Sequence, residues 1–123
     1  MNSSTLNNLL RKDVVDIRFT RRRPRKGVAA TRRMLCTLNE DILNSVNGRT
    51  VLNYLPPSNT LPYTIADKNI SMAWDIMMQN FRMIGADNVN VLTVYPADDT
   101  FWDYFNNNIR VMNAEQKITY MNS

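Results

Sequence analysis

Two alternating segments on either side of a basic cluster place the tightest constraint on the fold. From Asp13 onward, Val15, Ile17 and Phe19 alternate with polar residues. A period of two in β-branched and aromatic side chains is typical of a half-buried strand, with one apolar and one polar face. Residues 28–38 alternate in the same way. We therefore predict an antiparallel hairpin with a long connection, which is extended and mobile when no ligand is bound.

The predicted hairpin carries most of the positive charge of the chain. Residues 11–33 hold ten basic and two acidic residues, a net charge of +8, and the rest of the chain sums to −4, which gives +4 in total. Arginine suits bidentate phosphate contacts, and basic side chains release counterions from nucleic acids. We predict that eight of these side chains bind a nucleic-acid backbone, although such runs also serve solubility alone. The eight residues are Arg18, Arg21, Arg22, Arg23, Arg25, Lys26, Arg32 and Arg33.

A stripe of large apolar residues in the middle of the chain has helical spacing. Ile70, Trp74, Met77, Phe81 and Ile84 follow one another at intervals of four, three, four and three residues. This pattern predicts an amphipathic helix over residues 67–84 that packs its stripe on the rest of the domain. A groove or an oligomer contact is the alternative use of the stripe.

The other segments predict short elements. Residues 1–12 are predicted to be a flexible N-terminus, followed by one small domain over residues 13–120. We expect a short helix that begins at Asn39–Asp41, and a loop over 56–66 that faces a partner. Further strands are predicted over 50–55, 89–95, 100–105, 109–112 and 117–120. Together these elements predict a mainly β, α+β fold: a small, partly open SH3-like or Sm-like barrel with one inserted helix and a long basic hairpin.

The composition excludes several kinds of catalytic site. There is no histidine, and Cys36 is the single cysteine. Histidine-based triads, histidine-ligated zinc and an internal disulfide are therefore excluded. Cys36 lies on the apolar face of its predicted strand, so we expect a buried, inert thiol. The three glycines are too far apart to form a phosphate loop. We predict no enzyme activity, no metal and no cofactor, and no apolar run is long enough for a membrane span.

Four stretches resemble a family of phage proteins. Residues 14–20 (VVDIRFT) and 33–39 (RMLCTLN) are similar to a strand that ends in Phe-Thr and a returning strand that ends in Met-x-Cys-Thr-Leu. Residues 91–95 (VLTVY) and 101–105 (FWDYF) resemble the closing strands of the same family. On these stretches, which cover about a fifth of the chain, the sequence resembles the WYL-like, Sm/SH3-type small β-barrels of tailed bacteriophages.

The resemblance implies a fold and a setting. It implies a small β-barrel, a phage protein that acts in the cytoplasm of a bacterial host, and a nucleic-acid-binding or regulatory role. The chain departs from the family in its longer and more basic hairpin connection. It also has Pro96 where the family tends to have an acid, and Asp103 where it tends to have arginine. The second change removes a positive charge from the face that would bind the ligand.

Three functions compete at this point. The first is a small nucleic-acid-binding regulator that contacts the DNA or RNA backbone through its arginine-rich hairpin. The second is a phage interaction protein that docks on an acidic host protein and inhibits or redirects a host enzyme or defence complex. The third is a structural or oligomeric component. Binding to random-sequence DNA and RNA over a salt series separates the first function from the second.

Overall fold

The protein is a mixed α+β protein built on one open, five-stranded antiparallel sheet. The computed structural model describes residues 1–21, 26–56 and 69–123. The strand order is β4-β3-β2-β1-β5, so β4 and β5 form the two edges in the described part of the chain. The strands are β1 (Asp13–Thr20), β2 (Thr31–Thr37), β3 (Ile70–Asp75), β4 (Asn80–Gly85) and β5 (Val89–Pro96). Closure into an SH3-like barrel stays a prediction.

Several helices cover the sheet, where the sequence predicted one inserted helix. They are α1 (Ser3–Lys12), α2 (Glu40–Leu43), α3 (Val46–Thr50), α4 (Asp99–Tyr104) and α5 (Ala114–Met121). A π-helical turn, Phe105–Ile109, continues α4. None of the helices within the described ranges has the length and apolar character that crossing a bilayer requires.

The basic hairpin predicted from the alternating segments is present. β1 and β2 pair antiparallel in a register that runs from Val15 opposite Cys36 to Thr20 opposite Thr31. β5 pairs with the other side of β1, with a bulge beside Asp16 and Ile17. The strand prediction over 89–95 is confirmed, and β1 becomes a central strand of the sheet.

The N-terminal segment is an ordered helix, so the prediction of a flexible terminus is wrong. Asn2 caps α1 by accepting a hydrogen bond from the N–H of Thr5 at 2.9 Å. Leu6 and Leu10 have no exposed surface and pack on one face of the sheet. The N–H of Leu38 also donates to the carbonyl of Leu10 at 2.9 Å. A short helical turn over residues 6–10 was the alternative that the sequence left open, but the sheet face on which Leu6 and Leu10 pack could not be predicted from it.

The other helices pack on the opposite face of the sheet. Their core contains Trp74 and Phe101, together with Leu35 from β2. The strands predicted over 50–55, 100–105, 109–112 and 117–120 are wrong, because these segments are helical or irregular. Capping side chains explain two of the helices: Asp98 accepts from the N–H of Thr100, and Asn113 forms a capping box with Gln116. Aromatic content indicated strands, but these caps favour helices.

The helix predicted over residues 67–84 is wrong, because its described part is the hairpin of β3 and β4. Trp74 lies directly opposite Phe81, and their ring centroids are 5.1 Å apart. The turn forms because the Asp75 carboxylate accepts from two turn N–H groups, and Gln79 has a positive φ of 58°. Cross-strand pairing therefore overrides helical spacing. Residues 67 and 68, and all but Pro56 of the predicted partner-facing loop, lie outside the described residues.

Candidate polyanion interface

The connection between β1 and β2 begins immediately after the last strand pair, Thr20 and Thr31. Residues 21–30 (RRRPRKGVAA) contain five basic residues and no acidic residue. The N–H of Arg21 extends the ladder by donating to the carbonyl of Ala30 at 2.8 Å, and its Nε donates to the carbonyl of Ala29 at 2.9 Å. Residues 26–30 are exposed. Gly27 has a φ of +82°, a conformation that favours glycine.

Arg32 does not lie on an exposed patch as predicted. Its side chain is buried and forms an ion pair with the buried carboxylate of Asp75, on the neighbouring strand β3. Burial lowers the pKa of Arg32, and the charge of Asp75 opposes that shift. Burial likewise raises the pKa of Asp75, against the hydrogen bonds and arginines that stabilise its charged form. This pair holds the hairpin against β3 and is turned away from solvent.

Arg33 is also neutralised inside the protein. Its Nε and Nη2 donate to the carboxylate of Asp16 at 3.0 and 2.6 Å, and Asp16 has no exposed surface. The guanidinium lies over the ring of Tyr120, 4.3 Å from its centroid. Hydrogen bonding to Asp16 raises the pKa of Arg33. The helix α5 thus covers the face of the hairpin that the alternation marked as polar and exposed.

The other six predicted binding residues differ in whether their side chains are free to contact a ligand. Nη2 of Arg18 donates to the main-chain oxygen of Ser123 at 2.7 Å, which directs this side chain along the sheet. Arg21 is half-buried, and Lys26 is exposed and makes no hydrogen bond or ion pair with the described residues. Arg22, Arg23 and Arg25 lie outside the described residues. The structure therefore separates structural arginines on the strands from basic residues in the connection.

The sequence analysis did not predict that Asp16 and Asp75 form ion pairs with arginines of the hairpin. Asp16 was placed on a polar strand face, although in an antiparallel hairpin it is a diagonal neighbour of Arg33. The register of the predicted hairpin was therefore enough to predict that Asp16 and Arg33 lie close together. Asp75 had no such signal, because it was predicted to lie in a helix. Arg82 on β4 was not predicted either, and it belongs to the same region of the sheet as Arg32.

The remaining candidate groups are the single cysteine, the carboxylates and two tyrosines. Cys36 is buried as predicted, and burial raises the pKa of its thiol well above the usual value, which keeps it protonated. In the described part of the chain, no three carboxylate or thiol side chains come together as a potential metal site. Tyr95 and Tyr104 stack on each other with centroids 4.2 Å apart. One face of each ring is therefore occupied by packing against the other ring.

An apolar groove is lined by the β3–β4 turn and by α5. It has a volume of about 380 Å³ and lies between the β3–β4 turn and α5. Its lining comprises Met77, Met78, Ala114, Lys117, Ile118 and Met121. Ile118 is 58% exposed and Met78 is 42% exposed, so this groove is open to solvent.

Comparisons of the chain with family models, with curated proteins and with solved structures gave no match. The functional argument therefore depends on the chemistry of the residues themselves.

Proposed function

We propose that this protein is a non-enzymatic regulator that binds a nucleic-acid backbone through the β1–β2 connection. The proposal is supported by a difference between the arginines on the strands and the basic residues of the connection. Arg32 and Arg33 have internal carboxylate partners, whereas the connection contains five basic residues and no acid. Lys26, at its described end, has no partner among the described residues. The basic residues of the connection thus have no acidic neighbour within their own segment of the sequence.

A concentrated basic segment at the tip of a rigid hairpin favours a polyanionic ligand. Its charges release condensed counterions when they contact phosphates, and this is the main source of affinity in non-specific binding. β1 and β2 are central strands of the sheet, so they hold both ends of the connection firmly. Contacts between basic side chains and phosphates position a protein on DNA or RNA without reading the base sequence.

In the described ranges, Phe19, Tyr95, Trp102 and Tyr104 are engaged in packing, which leaves less ring surface for base recognition. Phe19 is 6% exposed and packs in the core beneath α1. Tyr95 and Tyr104 stack on each other, and Trp102 packs against Phe101. Stacking on bases needs a free aromatic face. We therefore expect binding that depends on the backbone and has weak sequence preference, with DNA and RNA both accepted.

The resemblance to small phage barrels suggests the setting of this activity. It supports a regulatory role in the cytoplasm of a bacterial host, with the barrel-like fold as part of the same proposal. The apolar groove between the β3–β4 turn and α5 favours a second candidate, a protein partner. In that case the basic connection would dock on an acidic host protein.

A pair of charge-matched variants tests the proposal. The loop variant carries R22Q, R23Q, R25Q and K26Q, and keeps Arg21 because its hydrogen bonds extend the hairpin. The control variant carries R11Q, K12Q, R49Q and R110Q, four exposed cations elsewhere. Both variants lose four positive charges, so they differ only in where the charge is removed.

We expect the loop variant to bind random-sequence duplex DNA and single-stranded RNA at least tenfold more weakly than the wild type in low salt. The affinity of the control variant should fall by no more than about threefold, because dispersed charges contribute only through the long-range electrostatic field. Fluorescence anisotropy measures both affinities. Equal losses in the two variants would contradict the proposal. No binding by the wild type at low salt would also contradict it and would favour the acidic protein partner.

A further inference from the structure

Four charged side chains form a row across one face of the sheet, near the basic connection. Arg32 lies on β2 and bonds Asp75 on β3. Arg82 lies on β4 opposite Ala73, two residues before Asp75, so Arg82 and Asp75 share a face as diagonal neighbours. Arg21 follows β1, two residues after Phe19, which pairs with Arg32. The row is Arg21, Arg32, Asp75 and Arg82.

The row contains more positive charge than its one carboxylate can neutralise. Arg32 and Arg82 act on the charge of Asp75, and Arg21 acts on the charge of Arg32. With three guanidinium groups and one carboxylate, the row has a net charge of +2. Both oxygens of Asp75 are already used: Oδ2 bonds Arg32, and Oδ1 accepts from the N–H groups of Met77 and Met78 at 3.1 Å. Burial lowers the pKa of Arg32, Asp75 raises it, and the charges of Arg82 and Arg21 lower it further. The arginines therefore repel one another across this face.

Two buried donors in the row have no acceptor. The Nε–H groups of Arg32 and Arg82 are inaccessible to solvent and make no hydrogen bond with the described residues. Arg32 as a whole is 4% exposed. A buried donor without an acceptor destabilises the folded protein, and more so when the group is charged. An anion held between the arginines would supply both the missing acceptors and the missing negative charge.

We infer that Arg21, Arg32 and Arg82 hold one tetrahedral oxyanion of the phosphate class. Phosphate at neutral pH carries up to two negative charges, which matches the net +2 of the row, and its oxygens accept from several guanidinium forks at once. A carboxylate offers one charge and two oxygens in a plane, so it matches the row less well. The ligand is either inorganic phosphate or the phosphate group of a nucleotide.

This inference goes beyond the proposed function, because the oxyanion lies on the sheet face and two of its three arginines belong to β2 and β4. Residues 22–26 are not needed for it. The loop variant, which keeps Arg21, is therefore expected to retain the oxyanion although it loses nucleic-acid affinity. The two proposals can fail separately.

Calorimetric titration at constant ionic strength, in a chloride buffer, tests the site with sodium phosphate and with AMP as probes. The test variant is Arg82→Gln, with Arg82→Lys as a variant that keeps the charge and loses the planar fork. Arg110→Gln, an exposed arginine far along the chain, is the matched control. We expect saturable binding of one anion by the wild type and by R110Q. Affinity should fall at least tenfold in R82Q and by an intermediate factor in R82K.

Thermal melting without phosphate shows whether the substitution R82Q weakens anion binding itself or destabilises the fold. The side chain of Arg82 makes no hydrogen bond or ion pair with the described residues, so R82Q should melt at or above the wild-type temperature. Phosphate should raise the melting temperature of the wild type and leave that of R82Q unchanged. Binding of AMP alone also supports the site and assigns it to nucleotides. Neither probe binding better than chloride, or R82Q binding as tightly as the wild type, would overturn the inference.

Discussion

Asp16 determines how the hairpin presents its charge. It has no exposed surface, and it accepts both a 3.0 Å and a 2.6 Å hydrogen bond from Arg33. Arg33 lies directly opposite Arg18 across the two strands, an unfavourable pair of like charges. The carboxylate between them offsets this repulsion. A single residue thus allows two arginines to occupy neighbouring strands beneath α5.

The substitution Asp16→Asn tests this role. It preserves the shape of the side chain and removes the charge, so the hydrogen bonds to Arg33 lose their ionic character. We expect a loss of about 2 kcal/mol in the free energy of unfolding, the range of hydrogen bonds to charged groups. Urea denaturation measures the loss. Asp103→Asn, at an exposed acid on α4, is the control and should change stability by less than about 0.5 kcal/mol. Equal effects of the two substitutions would show that Asp16 carries no such role.

At the residue scale the sequence predicts burial better than it predicts pairing. The alternation correctly placed Cys36 and Leu35 on opposite faces, since Cys36 packs beneath α1 and Leu35 beneath the other helices. It could not show that both faces are covered. The partner of Arg32 is 43 positions away along the chain, and no local pattern reports a contact of that separation.

The β3–β4 hairpin is the element that departs most from its predicted form. Large apolar side chains at intervals of three and four residues indicate a helix by their spacing. Here Trp74 and Phe81 pack edge-to-face across two strands, and Tyr54 packs on both rings. Packing of three aromatic rings outweighs the weak preference of the backbone. The strands β1, β2 and β5 were predictable because their β-branched alternation and their tertiary pairing agree.

Two substitutions at Gln79 distinguish the hairpin from a helix. Gln79 lies in the turn with a φ of 58°, where glycine is unstrained and alanine is not. Both substitutions lose the exposed 2.9 Å hydrogen bond from Asn53, so that loss cancels in the comparison. We expect Q79G to be more stable than Q79A by about 1 kcal/mol. A helix would give the opposite order by about the same amount. Thermal unfolding of the two variants measures the difference and its sign.

The whole molecule is a sheet with a hydrophobic core on each face. The α+β class was predictable from the mixture of alternating and helical patterns, but the layering was not. It depends on α1, which covers one face, and on the helices that replace the predicted C-terminal strands and cover the other. This layering decides which arginines are available. On β2, Arg32 and Arg33 pair with the internal acids Asp75 and Asp16, whereas Lys26 in the described part of the connection is exposed.

The salt dependence of affinity for duplex DNA tests the central claim most directly. If all five basic residues of the connection contact phosphates, the plot of log K against log salt should have a slope of about −4.5. The loop variant, which keeps one of the five, should have a slope of about −1, and the variant with four dispersed substitutions should keep the wild-type slope. Equal slopes for the loop variant and the wild type would contradict the claim that the hairpin connection binds the backbone.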